Sequence, residues 1–315
     1  MLNEGEVRSL LPMDECVDVL DALFKESSEG SVSNMNRYRV PLPNGSMQVM
    51  AGMSPAYRAT GHKSYVTGAG TPSRMTVLLY DMDTAEPIAF IAANALGAIR
   101  TGAASGVASR HMARADAKTV AIIGSGSQAV TQLAAVCAAR PIQRAFVYSR
   151  TQGNREAFAT KMSAELSIPV QACESSDDAV ASADIVCTIT NSREPVIDGA
   201  KLQAGTHVNA AGSNGWIRRE VDDETIKRAS LVVADDVSNA KAECGELIWA
   251  AERRLFRWER AVELRDVVGG RVAGRPSPDS ITLFESQGLA IEDVAAGMHV
   301  YLKAKQQGIG RNVEV

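Results

Sequence analysis

TVAIIGSGSQAVTQLAAVCAAR, residues 119–140, is the stretch from which the rest of the chain is read. An apolar run ends at Gly124. The small-residue turn Gly124-Ser125-Gly126-Ser127-Gln128-Ala129 follows, and a helical pattern opens inside it. A chain turning tightly beneath a pyrophosphate needs glycine where a Cβ would clash. The helix N-terminus then offers N–H groups and positive dipole to the phosphates, and a small third residue, here Ala129, lets helix and strand pack closely.

Outward from this loop the texture is an alternation. Strand RAFVYSR (144–150) leads to helix NREAFATKMSAEL. Then come PVQAC (169–173), a helix around 176–182, DIVCTIT (184–190), THVNAAG (206–212) and LVVADD (231–236). Such alternation predicts parallel strands joined by right-handed helical crossovers, an α/β doubly wound sheet of Rossmann type. At the end of the second strand an NAD site usually presents Asp or Glu to the ribose. This chain has Ser149-Arg150-Thr151 instead. A cation between two hydroxyls suits a 2′-phosphate, so NADP(H) is the expected cofactor, with NAD(H) possible.

Composition sets the outer bounds. The 315 residues carry 33 Lys+Arg against 37 Asp+Glu, a net charge of −4, with 45% hydrophobic and 5% aromatic residues. This excludes a largely disordered chain, and the slight acidity supplies no footprint for nucleic acid or an anionic membrane. Cys16, Cys137, Cys173, Cys187 and Cys244 are widely spaced and unpaired in pattern, so buried free thiols in a reducing compartment are expected. No signal-peptide pattern or membrane-length apolar run is present in the sequence, and a cytoplasmic location is expected.

Upstream, residues 13–26 place Cys16, Val17, Val19, Leu20, Leu23 and Phe24 on one helical stripe. Strand-like runs follow at 46–54, 62–67 and 74–94, the last with a hairpin turn at Asp81–Pro87. A helix of small residues spans 97–114, and 288–310 reads as a helix ending in glycines. Three cations stand out here: Arg39, Lys63 in a strand, and Arg100 amid Ala and Gly. A buried cation needs a partner, and two guanidinium forks with an ammonium would suit a small carboxylate.

The succession RVPLPNGSMQVM, GHKSYV, NALGAIRTGAASG, TVAIIGSGSQA, FVYSR, HVNAAGS and TLFESQGLAIEDVAAG resembles the ornithine cyclodeaminase/mu-crystallin family over nearly the whole chain. The resemblance implies a homodimer. It also implies that a Rossmann domain at 116–287 is inserted in a smaller α+β substrate-binding and dimerisation domain, 1–115 plus 288–315. The substrate α-carboxylate would be held by Arg39, Lys63 and Arg100 facing the nicotinamide, with Lys63 as proton donor. Thr190, Ser213, Asn214 and Gly288 are expected to join the cofactor set.

One departure bears on the reaction. Relatives that cyclise ornithine carry an Asp within the segment matching Asn209–Glu220, and here Asn214 stands there. Asparagine is no general base near neutral pH. NADP(H)-dependent reduction of a small α-imino acid, cyclic such as pyrroline-2-carboxylate or acyclic, is therefore the leading expectation. The alternatives are ornithine cyclodeamination, with Asp235 or Glu246 replacing the missing acid, and a non-catalytic ligand-binding protein. His62, His111, His207 and His299 are too scattered to suggest a metal set. Asp236 with Asp235 reads as a helix cap, Glu243 and Glu246 as site edge or helix surface. The Arg-rich stretch 251–266 reads as a solvated helix face with Leu255, Trp258 and Val262 inward.

Overall fold

The computed structural model describes residues 1–68, 70 and 72–313. From the N-terminus the elements are α1 (Glu4–Leu10), α2 (Met13–Ser28), β1 (Ser33–Asn34), β2 (Tyr38–Leu42), β3 (Gly45–Ser54), β4 (Ala59–Gly68), β5 (Thr76–Asp81), β6 (Pro87–Ala92) and α3 (Asn94–Met112). The alternating region gives β7 (Thr119–Ile123), α4 (Ser127–Ala139), β8 (Arg144–Tyr148), α5 (Gln152–Leu166), β9 (Val170–Ala172), α6 (Ser176–Ala181), β10 (Ile185–Thr188), β11 (His207–Ala210), α7 (Asp223–Arg228) and β12 (Ala229–Ala234). The chain closes with α8 (Val237–Glu243), α9 (Gly245–Glu252), β13 (Ala261–Glu263), α10 (Leu264–Val268), β14 (Ile281–Glu285) and α11 (Ala290–Gln307).

Two compact units result: residues 1–100 with 288–315, and residues 101–287. The expected boundary at 115 differs from the observed one, which falls within α3. Gly102 explains the shift, since a Cβ there would sit 2.4 Å from the Thr131 carbonyl oxygen. The small-residue half of α3 is thus pressed onto α4 and belongs with it.

The second unit is an eight-stranded parallel sheet in the order β13-β12-β14-β11-β10-β7-β8-β9. Its strands are near-continuous apolar runs because helices cover both faces. Val120, Ile122, Ala129, Leu133 and Val147 form one core layer, while Ala121, Val186, Val208, Val232 and Leu283 lie in the other. The Arg-rich stretch is not one helix. α9 stops at Glu252, Arg254 takes a left-handed φ of 60°, and the chain re-enters the sheet as β13 beside β12. Two of its arginines pair with acids, Arg253 with Asp223 and Arg265 with Glu263, and its Asp266 pairs with Arg271.

In the first unit an antiparallel sheet runs β1-β3-β4-β5-β6, with β2 also on β3. Met50, Lys63, Val77 and Ile91 are cross-strand neighbours on one face. All four are buried, and α11 packs on these strands. The stripe expected on α2 is buried at every one of its six positions. All five cysteines are free, four of them buried. Among the described residues, no helix is long and apolar enough to cross a membrane.

Candidate active site

Two clusters of functional side chains stand in the two units. In the second, the loop leaving β7 opens a cavity of about 480 Å³. Gly124 has φ +124°, and a Cβ on it would lie 2.4 Å from the Ile189 carbonyl oxygen, so only glycine fits. Gly126 caps α4 without a side-chain hydrogen bond, and a Cβ there would meet open space. The cradle is therefore a bare backbone at a helix N-terminus, which fits a dinucleotide pyrophosphate. Ser125 Oγ donates to Ser149 Oγ at 2.9 Å, tying this loop to the end of β8.

Of the residues expected at the cofactor, Gly124, Ser125, Gly126, Ser127, Gln128, Ser149, Arg150, Thr151, Thr190 and Asn214 all line this cavity. Ala129 lies behind it, fully buried in helix–sheet packing. Ser213 is buried and donates to the Arg218 carbonyl, and it does not line the cavity. Gly288 lies in the other unit, where a Cβ would meet the Arg100 Nη1 at 2.8 Å. Sequence reasoning missed Asn154, Asn191 and Ser192 on the lining. It also missed Arg155, whose Nη1 donates to the Ser149 carbonyl at 3.2 Å while Nη2 pairs with Glu174 at 2.8 Å. Among the described residues lining the cavity, none is Asp or Glu and Arg150 is the one cation.

The first unit holds the cations. Lys63 Nζ lies 2.7 Å from Asp293 Oδ2, and Arg100 reaches Asp293 Oδ1 at 2.9 Å and Glu292 Oε2 at 2.8 Å. Both cations and both acids are buried. The expected clamp is thus already braced by two carboxylates from the first turn of α11, which the sequence reading did not single out. Burial foremost, with Arg100 beside it, pulls the Lys63 pKa down to about 8. Burial pushes Glu292 up, whereas for Asp293 the charges of Arg100 and Lys63 outweigh burial and hold it below its ordinary value. Arg39 is placed apart: it is exposed on β2, opposite Gln48, which in turn faces Tyr65. That register puts Arg39, Gln48, Tyr65 and Lys63 on one face of the sheet. The Tyr65 hydroxyl donates to Gln48 Oε1 at 3.2 Å.

Other candidates resolve into framework. Asp236 caps α8, its side chain accepting from the Asn239 N–H. Asp235 accepts from the Gln287 N–H at 2.6 Å, and Glu246 Oε1 accepts from the Glu220 N–H at 2.8 Å. Neither Asp235 nor Glu246 lines the cavity, and Glu243 and Glu246 are buried rather than on a helix surface. Cys244, Glu246 and Glu285 lie together, and burial raises the pKa of each. His207 is a satisfied core histidine between Thr282 and Asn209, its pKa pulled to about 3 by burial.

A chain that combines an eight-stranded Rossmann-type sheet carrying a glycine cradle with a smaller unit that buries paired cations is an α/β protein of the nucleotide-binding class. The chain belongs to the ornithine cyclodeaminase/mu-crystallin family, whose profile matches residues 1–308. It is 33% identical, over all of this chain and 99% of the relative, to a Delta(1)-pyrroline-2-carboxylate reductase of Bacillus cereus. The structure of Thermococcus litoralis Delta(1)-pyrroline-2-carboxylate reductase in complex with NADH and L-proline superposes with a TM-score of 0.94 at 34% identity, covering 99% of each chain. An archaeal alanine dehydrogenase dimer with bound NAD gives 0.93 at 29% identity, covering 99% of this chain and 98% of that one.

Proposed function

We propose that the protein reduces small α-imino acids to amino acids, with a five-membered cyclic imine such as pyrroline-2-carboxylate as the substrate class and NADPH preferred over NADH. Lys63 carries this reading: an ammonium fully buried, held by Asp293 beside Arg100, with a pKa near 8. Such a group is charged at neutral pH and close enough to it to give up a proton. Its cationic neighbours Arg100 and Arg37 favour an incoming carboxylate. A reduced nicotinamide dinucleotide supplies hydride when bound. Gly124, Gly126 and the first turn of α4 would hold its pyrophosphate, and Arg150 with Ser149 and Thr151 would take a 2′-phosphate. Lys63 holds the proton at Nζ that the imine nitrogen takes up as its carbon is reduced, and a neutral lysine remains. The named relatives that act on this imine support the substrate class. The cavity lining supports NADPH, since it sets a cation and no carboxylate where the ribose is read.

The test is oxidation of NADPH and of NADH with pyrroline-2-carboxylate, piperideine-2-carboxylate, and pyruvate plus ammonia or methylamine, alongside conversion of ornithine to proline. Turnover is expected with the five-membered imine, with at least about tenfold higher kcat/KM for NADPH, corresponding to roughly 1.4 kcal/mol. In Arg150→Ala that advantage should vanish. Proline from ornithine without imine reduction would overturn the reaction, and equal efficiency with the two cofactors would overturn the preference.

A further inference from the structure

Glu220 is fully buried and does not line the cavity, yet three residues that do line it, from the two loops after β10 and β11, converge on this one residue. Its Oε1 accepts from the Thr190 N–H in the loop after β10. Its Oε2 accepts from the Gly212 N–H at 2.7 Å, in the loop after β11, and from Thr188 Oγ1 at 3.1 Å. Its carbonyl accepts from the Val196 N–H at 2.8 Å. Thr190, Val196 and Gly212 are all lining residues.

We infer that Glu220 is a positioning residue of the dinucleotide cleft, its single carboxylate fixing the spacing between the loops after β10 and β11. This rests on the cleft being a dinucleotide site. Two backbone N–H groups on different loops share one side chain, so a residue offering acceptors on both sides is required. Glutamine cannot substitute: whichever way its amide turns, an NH₂ faces one of the two N–H donors and leaves it unpaired. Close packing makes the spacing sensitive. A Cβ on Gly212 would lie 2.4 Å from the Thr190 backbone and 2.6 Å from Glu220 Oε2.

The surroundings also make the bridge responsive to protons. Burial, opposed by the Thr190 and Gly212 donors and reinforced by Glu246 of α9, brings Glu220 up to about 7. Glu285 of β14 and Cys187 of β10 also feel its charge, and Arg219 acts on Glu246. Protonation turns one acceptor into a donor and weakens the hold on the loops.

The experiment is binding of NADH, whose diphosphate does not titrate near neutral pH, followed by fluorescence between pH 6 and 8.5. In the parent protein, affinity should fall as pH drops through about 7. Glu220→Gln should bind at least about tenfold more weakly at pH 8 and show no titration in this range, whereas a purely structural role would leave the profile in place. Affinity within twofold of the parent with the same profile would overturn the inference. Should that variant fail to fold, Gly212→Ala wedges the same two loops: a tenfold loss supports the inference and unchanged affinity overturns it. A folded parent that binds neither NADH nor NADPH refutes the dinucleotide site itself, and the inference with it.

Discussion

Lys63 shows how a single residue couples burial to chemistry. Its ordinary pKa of 10.5 falls to about 8 because burial removes water from the ammonium and Arg100 repels it, with Asp293 opposing both. The folded value lies below the unfolded one, so between about pH 8 and 10.5 the unfolded chain keeps a proton that the folded chain has released. Unfolding free energy therefore rises with pH across that window, and the cost of burying the charge is felt in full below it. For the proposed catalysis the sign is opposite, because the proton assigned to Lys63 in that proposal is lost as pH rises. With cofactor saturating, we expect kcat/KM for imine reduction to be level below about pH 8 and to fall roughly tenfold per unit above it. Lys63→Arg, which stays protonated, should lower the plateau and abolish that falling limb. A limb that persists in the variant would assign it to another group. The sequence pointed to Lys63 and Arg100 because a cation in an apolar strand or a small-residue helix demands a partner. The structure adds partners the sequence reading did not name, the protein's own Asp293 and Glu292 carboxylates.

Those carboxylates belong to an element. Glu292 and Asp293 sit in the first turn of α11, where acids are common simply because they complement the helix dipole, and so they gave no signal. Asp293 lies 193 residues from Arg100, beyond the reach of any local pattern. The loop from Gly124 to Ala129 was legible because strand, turn and helix are contiguous and each imposes its own residue types. The stretch 251–266 was misread because its charge density resembles a solvated helix, while the short strand β13 is specified by pairing with β12. Within α11 the two acids should behave differently. Asp293 contacts both cations and is held ionised, so Asp293→Asn leaves two buried charges short of a partner and should cost about 3–5 kcal/mol. Glu292 is pushed toward its protonated form, so Glu292→Gln should cost no more than about 1 kcal/mol. Urea unfolding of the two variants checks this, and equal losses would mean that Glu292 is as fully charged as Asp293.

At the scale of the whole molecule, the sheet of the first unit has a second face. Val40 pairs with Met47 and Met47 with Val66, so the three form one row across β2, β3 and β4 on the side opposite Lys63. Each is exposed, at 39%, 38% and 43%, and Tyr38 and Leu42 extend the row along β2. Contiguous exposed apolar side chains on a sheet face mark an interaction surface. The small-residue stretch of α3 offers no such face, because residues 101–109 are buried within the chain itself. We expect this sheet face to carry the homodimer that the family resemblance implies. A two-fold interface uses the same patch twice, so two substitutions per chain place four new charges in it. Light scattering should give twice the 33.5 kDa of one chain for the parent, and 33.5 kDa for Met47→Glu combined with Val66→Glu. Both positions face solvent in the single chain, so the variant's circular dichroism should match the parent's. A dimeric double variant would move the interface elsewhere, and a monomeric parent would remove the dimer altogether.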